Sequence, residues 1–195
     1  MQLHESAQLI ELNRVIKNKF NGTKLKALNI GCGNQILESD ESVNWQNLDK
    51  YERDKIDIIH DLDKYPYPFE DSHFNFIFAN MILEHLDSKI NPIEELWRIT
   101  KNNGTLLIII PYYNAKGALT HIDHKQLFDE NTYQIRYDER GHRDLHASQT
   151  KVKFKIDHKL ICIGRFRKYL PFKKYLNMFL HNIYNEIWLE FTVIK

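Results

Sequence analysis

Cysteine is scarce. Cys32 and Cys162 are the two in 195 residues, too few for a disulfide framework. Both are expected to be reduced and the chain to work in the cytoplasm. A dominant charge sign is missing too: 27 Lys and Arg face 26 Asp and Glu, a formal +1. No global field therefore draws the chain to nucleic acid or a membrane. Long apolar runs are absent; the longest aliphatic stretch, Leu106 to Ile110, is far short of a bilayer span. The start, Met-Gln-Leu-His-Glu-Ser, has no basic segment followed by an apolar one, so no signal peptide is expected. Internal repeats and low-complexity tracts are also missing. What is present is core material, 43% hydrophobic and 12% aromatic residues. That argues against disorder and for one domain over 1–195.

Residues 24–33 read Lys-Leu-Lys-Ala-Leu-Asn-Ile-Gly-Cys-Gly. An apolar strand-like run, Leu25 to Ile30, ends in a Gly-x-Gly turn whose backbone can approach a ligand closely. Asp49 follows Gly33 by sixteen positions and closes a second strand-like piece, Trp45 to Asp49. A carboxylate there can accept from both hydroxyls of a ribose. The third glycine of a dinucleotide fingerprint would fall at Ile36. Glu38, Asp40 and Glu41, with no Lys or Arg between Gly33 and Trp45, would place a pyrophosphate poorly. A phosphate-free cofactor with a positive centre, S-adenosyl-L-methionine, suits these residues best. An NAD-type site and a fold remnant without ligand are the alternatives.

Helical spacing of Leu9, Leu12, Ile16 and Phe20 predicts an amphipathic helix over 5–20, ended by Asn21-Gly22. Strands are expected at 25–30, 45–49, 56–60, 74–79 and 105–110, with a polar loop at 34–44. Pro92 opens a helix whose buried face is Ile93, Leu96, Trp97 and Thr100. Further strands are read at 151–163 and 187–193, with an amphipathic helix near 168–184 between them. The pattern predicts an α/β fold: a doubly wound, mostly parallel seven-stranded sheet with helices on both faces. Within it, 1–23 is an N-terminal helix, 24–111 the cofactor-binding half, and 112–195 substrate-side loops, a lid helix and terminal strands. Gly31, Asp49, Asp61, Asn80 and Pro111 all fall at carboxyl ends of strands, where such sheets bind ligands.

On these residues the chain resembles the class I S-adenosylmethionine-dependent methyltransferases, and within them a small bacterial-type group of predicted methyltransferases. The shared pattern is Leu28 to Gly33, Trp45 to Asp49, His60-Asp61-Leu62, Leu83-Glu84-His85, and Pro111 ending the fifth strand. The resemblance covers roughly residues 24–115 and implies a Rossmann-like fold and methyl transfer. It implies a cofactor set of Asn29, Gly31, Cys32, Gly33, Asp49, Asp61, Leu62 and Asn80. In that set the backbone at Gly31 to Gly33 passes the methionine part and Asp49 holds the ribose. Asp61 accepts from the adenine amine, the Leu62 amide reads the ring, and Asn80 lines the pocket beside the methyl. Asn29 stands where many relatives have an acid, and Asn75 where they often have Asp.

Methyl transfer needs alignment and exclusion of water, and a general base only where the acceptor starts protonated. His121 and His124, just after the fifth strand, are the candidate bases; the alternative is two ordinary polar loop residues. As metal ligands, His121, Asp123 and His124 lie too close in sequence and lack a distant partner, so no metal is expected. Glu84-His85 is read as helix-start capping in preference to catalysis. Tyr112 and Tyr113 are placed against the substrate, with simple packing an equal alternative. His142 and His146 share this segment without periodicity.

The helix near 168–184, with Lys168, Lys173 and Lys174, is expected to pack as a lid or sheet cover rather than lie on a membrane. Arg136 to Arg143, mixed in sign, is expected to be a solvated loop. The expected partner is a small-molecule or sugar-like acceptor, with no nucleic acid and no transmembrane segment. A cofactor-binding regulatory module without turnover and an RNA methyltransferase are the competing functions.

Overall fold

The structure, a computed structural model, describes residues 2–20, 24–138, 150–162 and 169–195. Asn21-Gly22, His142, His146 and Lys168 lie outside the described residues. The strands are β1 Leu25–Ile30, β2 Val43–Asp49, β3 Ile58–Ile59, β4 Phe74–Asn80, β5 Thr100–Pro111, β6 Lys153–Ile161 and β7 Glu186–Ile194. The helices are α1 Gln2–Lys19, α2 Asn91–Ile99, α3 Lys116–Thr120, α4 Gln134–Tyr137 and α5 Lys173–Leu176, with a 3₁₀ turn at Leu83–His85. One seven-stranded sheet runs β3-β2-β1-β4-β5-β7-β6. Its first five strands pair in parallel, and β7 is antiparallel to both β5 and β6. This is the Rossmann-like, mostly parallel sheet expected from the strand pattern.

Strand alternation sorts the core onto two faces. Leu25, Ala27, Phe76, Phe78, Leu107 and Ile109 face one way and are covered by Leu12 and Val15 of α1. Leu28, Ile30, Leu48, Ile77, Leu106, Ile108 and Ile110 face the other, against Ile93, Leu96 and Ile99 of α2. The run Leu106 to Ile110 is apolar without interruption because β5 is buried on both faces. Chain order reverses between β1 and β4, so a crevice opens beyond their carboxyl ends, next to Gly31 and Met81.

Local departures have local causes. β3 shrinks to two residues. β5 starts at Thr100, which was expected on the preceding helix: its backbone is already extended, and its hydroxyl donates to Leu96 O at 2.6 Å. No helix links β1 to β2. The Asn47 side chain takes that role, accepting from Leu37 N and donating to Leu37 O, both at 3.0 Å, while Asn29 donates to Gln35 O at 2.7 Å. Two buried asparagines thus pin residues 35–37 against the sheet.

Two expectations on the substrate side fail. The helix near 168–184 is a single turn, α5, entered from Phe172 in a left-handed conformation (φ 53°). Four residues cannot present a stripe wide enough to bury. Phe172, Tyr175, Met178 and Phe179 are each at least 67% exposed, so no lid packs there. The turn is anchored instead by polar contacts, Asn114 Nδ2 to Asn177 Oδ1 at 3.2 Å and Asn182 N to Asn114 O at 3.0 Å. Of the segment Arg136 to Arg143, residues 139–143 lie outside the described residues, and Arg136 itself is not in a solvated loop. It lies in α4, where the buried Tyr137 donates to Glu94 of α2 at 3.0 Å.

Candidate functional site

A cavity of about 690 Å³ lies at the carboxyl edge of β1, β2 and β4. Its floor is the turn after β1. Gly31 (φ 57°) and Gly33 (φ 54°) both take the left-handed conformation that glycine tolerates. Gly31 is required for a second reason: a Cβ there would sit 2.3 Å from Ile82 Cγ1. The turn's amides are already engaged, Cys32 N with Leu48 O at 3.1 Å and Gly33 N with Asp49 Oδ2 at 2.9 Å.

Asp49 ends β2 and enters the cavity wall, 8% exposed. Its two oxygens accept from Gly33 N and from Tyr51 N (3.0 Å), with Arg53 4.0 Å away. Each oxygen keeps acceptor capacity, so the carboxylate is held in place and still able to take a pair of hydroxyls. Asp61 and Leu62 line the next stretch of wall, and Asp61 Oδ1 accepts from Asp63 N at 3.1 Å. Lys50, Tyr51 and Arg53 also line the cavity; they follow Asp49 directly, a position that could have been read from the chain.

Of the expected cofactor residues, the cavity wall holds Gly31, Gly33, Asp49, Asp61 and Leu62. Asn29 is buried behind it, bonded to Gln35 and Asn47. Cys32 is buried, and burial together with the Asp49 charge pushes its thiol up to about 11, which removes it as a nucleophile. Asn80 spends its amide on Gln8 of α1 at 2.9 Å and on Gln35 at 2.8 Å. The acids thought to repel a pyrophosphate lie elsewhere. Glu38 is exposed and pairs with Lys55 at 2.7 Å, and Asp40 caps Ser42 N and Val43 N. What excludes a dinucleotide in this geometry is the missing helix after the turn, which leaves no N-terminus for a pyrophosphate.

The far wall comes from after β4 and β5: Ile82, His85, Ile122, Asp123 and Lys125. Lys125 N and Gln126 N both bond Glu84 O, at 2.8 and 3.1 Å, which staples the two segments together. His124 packs edge-on against His85 with ring centres 4.8 Å apart, and His121 stacks on His124 at 4.8 Å. Burial and the neighbouring rings hold the His124 imidazole below its ordinary value. Glu84 does not cap the 3₁₀ turn, whose start has no side-chain cap. Its carboxylate points inward, 1% exposed, and burial pushes its pKa up to about 8. Tyr112 and Tyr113 stand outside this cavity. Tyr112 is buried, donating to Glu130 at 2.8 Å and packed on Tyr184. Tyr113 is half exposed beside it.

Residues 36–108 match the family described as "Methyltransferase domain". No curated protein matches the sequence. Among solved structures, a SAM-dependent methyltransferase from Archaeoglobus fulgidus superposes with TM-score 0.63 at 15% identity, covering 95% of this chain and 93% of that one. Phosphoethanolamine N-methyltransferase 2 of Haemonchus contortus, in complex with S-adenosyl-L-methionine, gives 0.55 at 14%, covering 95% of this chain and 52% of that one. The cyclase SpnF gives 0.61 at 12%, covering 94% and 80%. The family match spans residues 36–108, well under half of the chain, and the fold as a whole is shared with S-adenosylmethionine-dependent methyltransferases. The match and the shared fold support a methyltransferase that uses S-adenosylmethionine.

Proposed function

We propose that the chain transfers the methyl group of S-adenosylmethionine to a small, hydroxyl-bearing or sugar-like acceptor that enters beside His85, Ile122, Asp123 and Lys125, with His121 and His124 next to that wall. One observation carries this reading. The wall formed by Gly31, Asp49, Asp61 and Leu62 and the wall formed by His85, Ile122, Asp123 and Lys125 enclose the same cavity. Its volume, about 690 Å³, is in the range of small-molecule sites.

The cofactor supplies an electrophilic methyl on a sulfonium with a neutral leaving group. Asp49 would accept from the ribose hydroxyls and Asp61 from the adenine amine, and the side-chain-free Gly31 would leave room for the methionine part beside Ile82. The protein's remaining work is alignment and exclusion of water. His121 or His124 takes the acceptor's proton. Asn80, with its amide engaged by Gln8 and Gln35, acts as a brace for α1 over the sheet rather than as a methyl-side ligand.

A nearly balanced net charge, +1, disfavours an RNA substrate. The cyclase SpnF shares the fold, so the fold alone leaves open a module that binds the cofactor without methyl transfer. Labelled-methyl incorporation from S-adenosylmethionine into a fractionated metabolite extract separates these readings. The expected result is a labelled small hydroxylated product with stoichiometric S-adenosylhomocysteine. Tight S-adenosylhomocysteine binding with no transfer to any fraction would favour the binding module.

A further inference from the structure

Glu84 poses a problem that the cofactor site does not solve. Its carboxylate is buried, and neither oxygen has a hydrogen-bond partner among the described residues. A buried carboxyl with no donor costs stability unless it is neutral or meets a cation. Two imidazoles lie beside it: the ligand atoms of Glu84, His85 and His124 all fall within 4.8 Å of one another.

The rings are oriented as metal-binding histidines are. His85 turns Nδ1 to Asp123 O and His124 turns Nδ1 to Ala118 O, each at 3.2 Å. An Nδ1–H donated to a carbonyl leaves the Nε2 lone pair free as ligand. The frame is braced by the Lys125 and Gln126 amides on Glu84 O. Ligands about 2.1 Å from an ion in tetrahedral array stand roughly 3.4 Å apart. The cluster, whose ligand atoms lie within 4.8 Å of one another, must draw in to reach that spacing.

We propose that Glu84, His85 and His124 bind one divalent transition-metal ion of zinc type on the acceptor-side wall of the cavity. Two imidazoles and one carboxylate favour such an ion over Mg²⁺ or Ca²⁺, which prefer oxygen ligands, and leave coordination positions open. Through His85 the site borders the cavity. The part of the inference that concerns the reaction rests on the methyl-transfer reading. An acceptor hydroxyl bound to the ion would lose its proton more readily. With His124 engaged, His121, stacked on it, takes that proton. The oxygen then forms the O–CH₃ bond, and the C–S bonding pair stays on sulfur as a neutral thioether.

The test is metal binding by the full chain after chelator treatment, without cofactor. Calorimetry with Zn²⁺ should show one ion per chain, and Co²⁺ should develop visible d–d absorption. Glu84→Gln and His124→Ala should each weaken Zn²⁺ by roughly 100-fold, while Mg²⁺ gives no competing signal. Folding of each variant is read from its melt, and S-adenosylhomocysteine binding is titrated separately. Zn²⁺ binding that is absent from the wild-type chain, or unchanged in both folded variants, would overturn the site. Failure of S-adenosylhomocysteine to bind, with Zn²⁺ bound normally, would overturn the methyl-transfer reading and leave the metal site standing.

Discussion

Replacing Asp49 tests the cofactor wall most directly, because the structure separates what the residue does for the fold from what it does for the ligand. In the free protein its oxygens hold Gly33 N and Tyr51 N. In Asp49→Ala these two amides border an open cavity, so water replaces the carboxylate. The stability loss is then about 1–2 kcal/mol, a fall in Tm of about 2–8 °C for a chain of this size. For the ligand, the role proposed for the same carboxylate is acceptor for two ribose hydroxyls. Losing a charged acceptor costs about 1.5–3 kcal/mol, which weakens binding by roughly 12- to 160-fold. Calorimetric titration of S-adenosylhomocysteine into wild-type and Asp49→Ala protein, each melted alongside, gives both numbers. If the folded variant keeps the wild-type Kd, Asp49 does not hold the ribose and the cofactor must lie differently in the cavity.

Gly31→Ala should cut cofactor affinity at least tenfold. The left-handed backbone costs an alanine about 1–2 kcal/mol, and Ile82 must move into the cavity to clear the new methyl; unaltered affinity would show that the turn does not carry the ligand. His121→Ala should lower turnover on the true acceptor by roughly 10²–10⁴-fold with S-adenosylhomocysteine affinity unmoved, and full turnover would remove it as the base. Glu95→Gln concerns stability alone. Burial by itself would raise the Glu95 carboxyl, but the Arg98 guanidinium and the Tyr67 amide outweigh it and the net shift is downward. A lowered folded pKa adds stability above the unfolded value of 4.5 that is lost as pH falls through the folded one. The variant should therefore melt lower than wild type at pH 7, by about 1–2 kcal/mol, with the gap closing as pH falls below 4.5 and through the folded value. A constant gap across that range would mean the pair's charge contributes nothing.

The first half of the sheet was legible because its signals are local. An apolar run ending in Gly-x-Gly, and an acid ending the next strand, translate directly into a strand, a left-handed turn and a carboxylate on one sheet edge. β5 was equally plain, since burial on both faces leaves an uninterrupted aliphatic stretch. Trouble began where long-range partners decide the outcome. Helical spacing through Leu176, Phe179 and Leu180 suggested a lid, but periodicity says which residues share a face and nothing about whether a surface exists to receive it. Thr100 sits where either helix or strand could claim it, and pairing with Phe74 settled it as strand. Glu84 read as a cap because an acid at a helix start usually is one. Its real surroundings are set by residues 118–126, brought back by β5 to the same edge.

That convergence also explains why the histidine cluster stayed hidden. Taken alone, His121, Asp123 and His124 span four positions and cannot surround an ion. The missing partners end the 3₁₀ turn after β4, about forty residues earlier in the chain. Parallel strands bring them together: β4 and β5 run side by side, from Phe76 against Thr105 to Asn80 against Ile109. Whatever follows either strand must then emerge at the same edge. The rule that located the cofactor turn thus predicts a second meeting point one strand over. Leu-Glu-His and Thr-His-Ile-Asp-His are the two chain segments that leave the sheet there carrying imidazoles. A buried Glu84 between them, with no hydrogen-bond partner among the described residues, is hard to account for as packing, since an apolar residue would fill that volume at lower cost. It is accounted for if the edge of the sheet beside the cofactor turn is built to hold a charge that the chain itself does not supply.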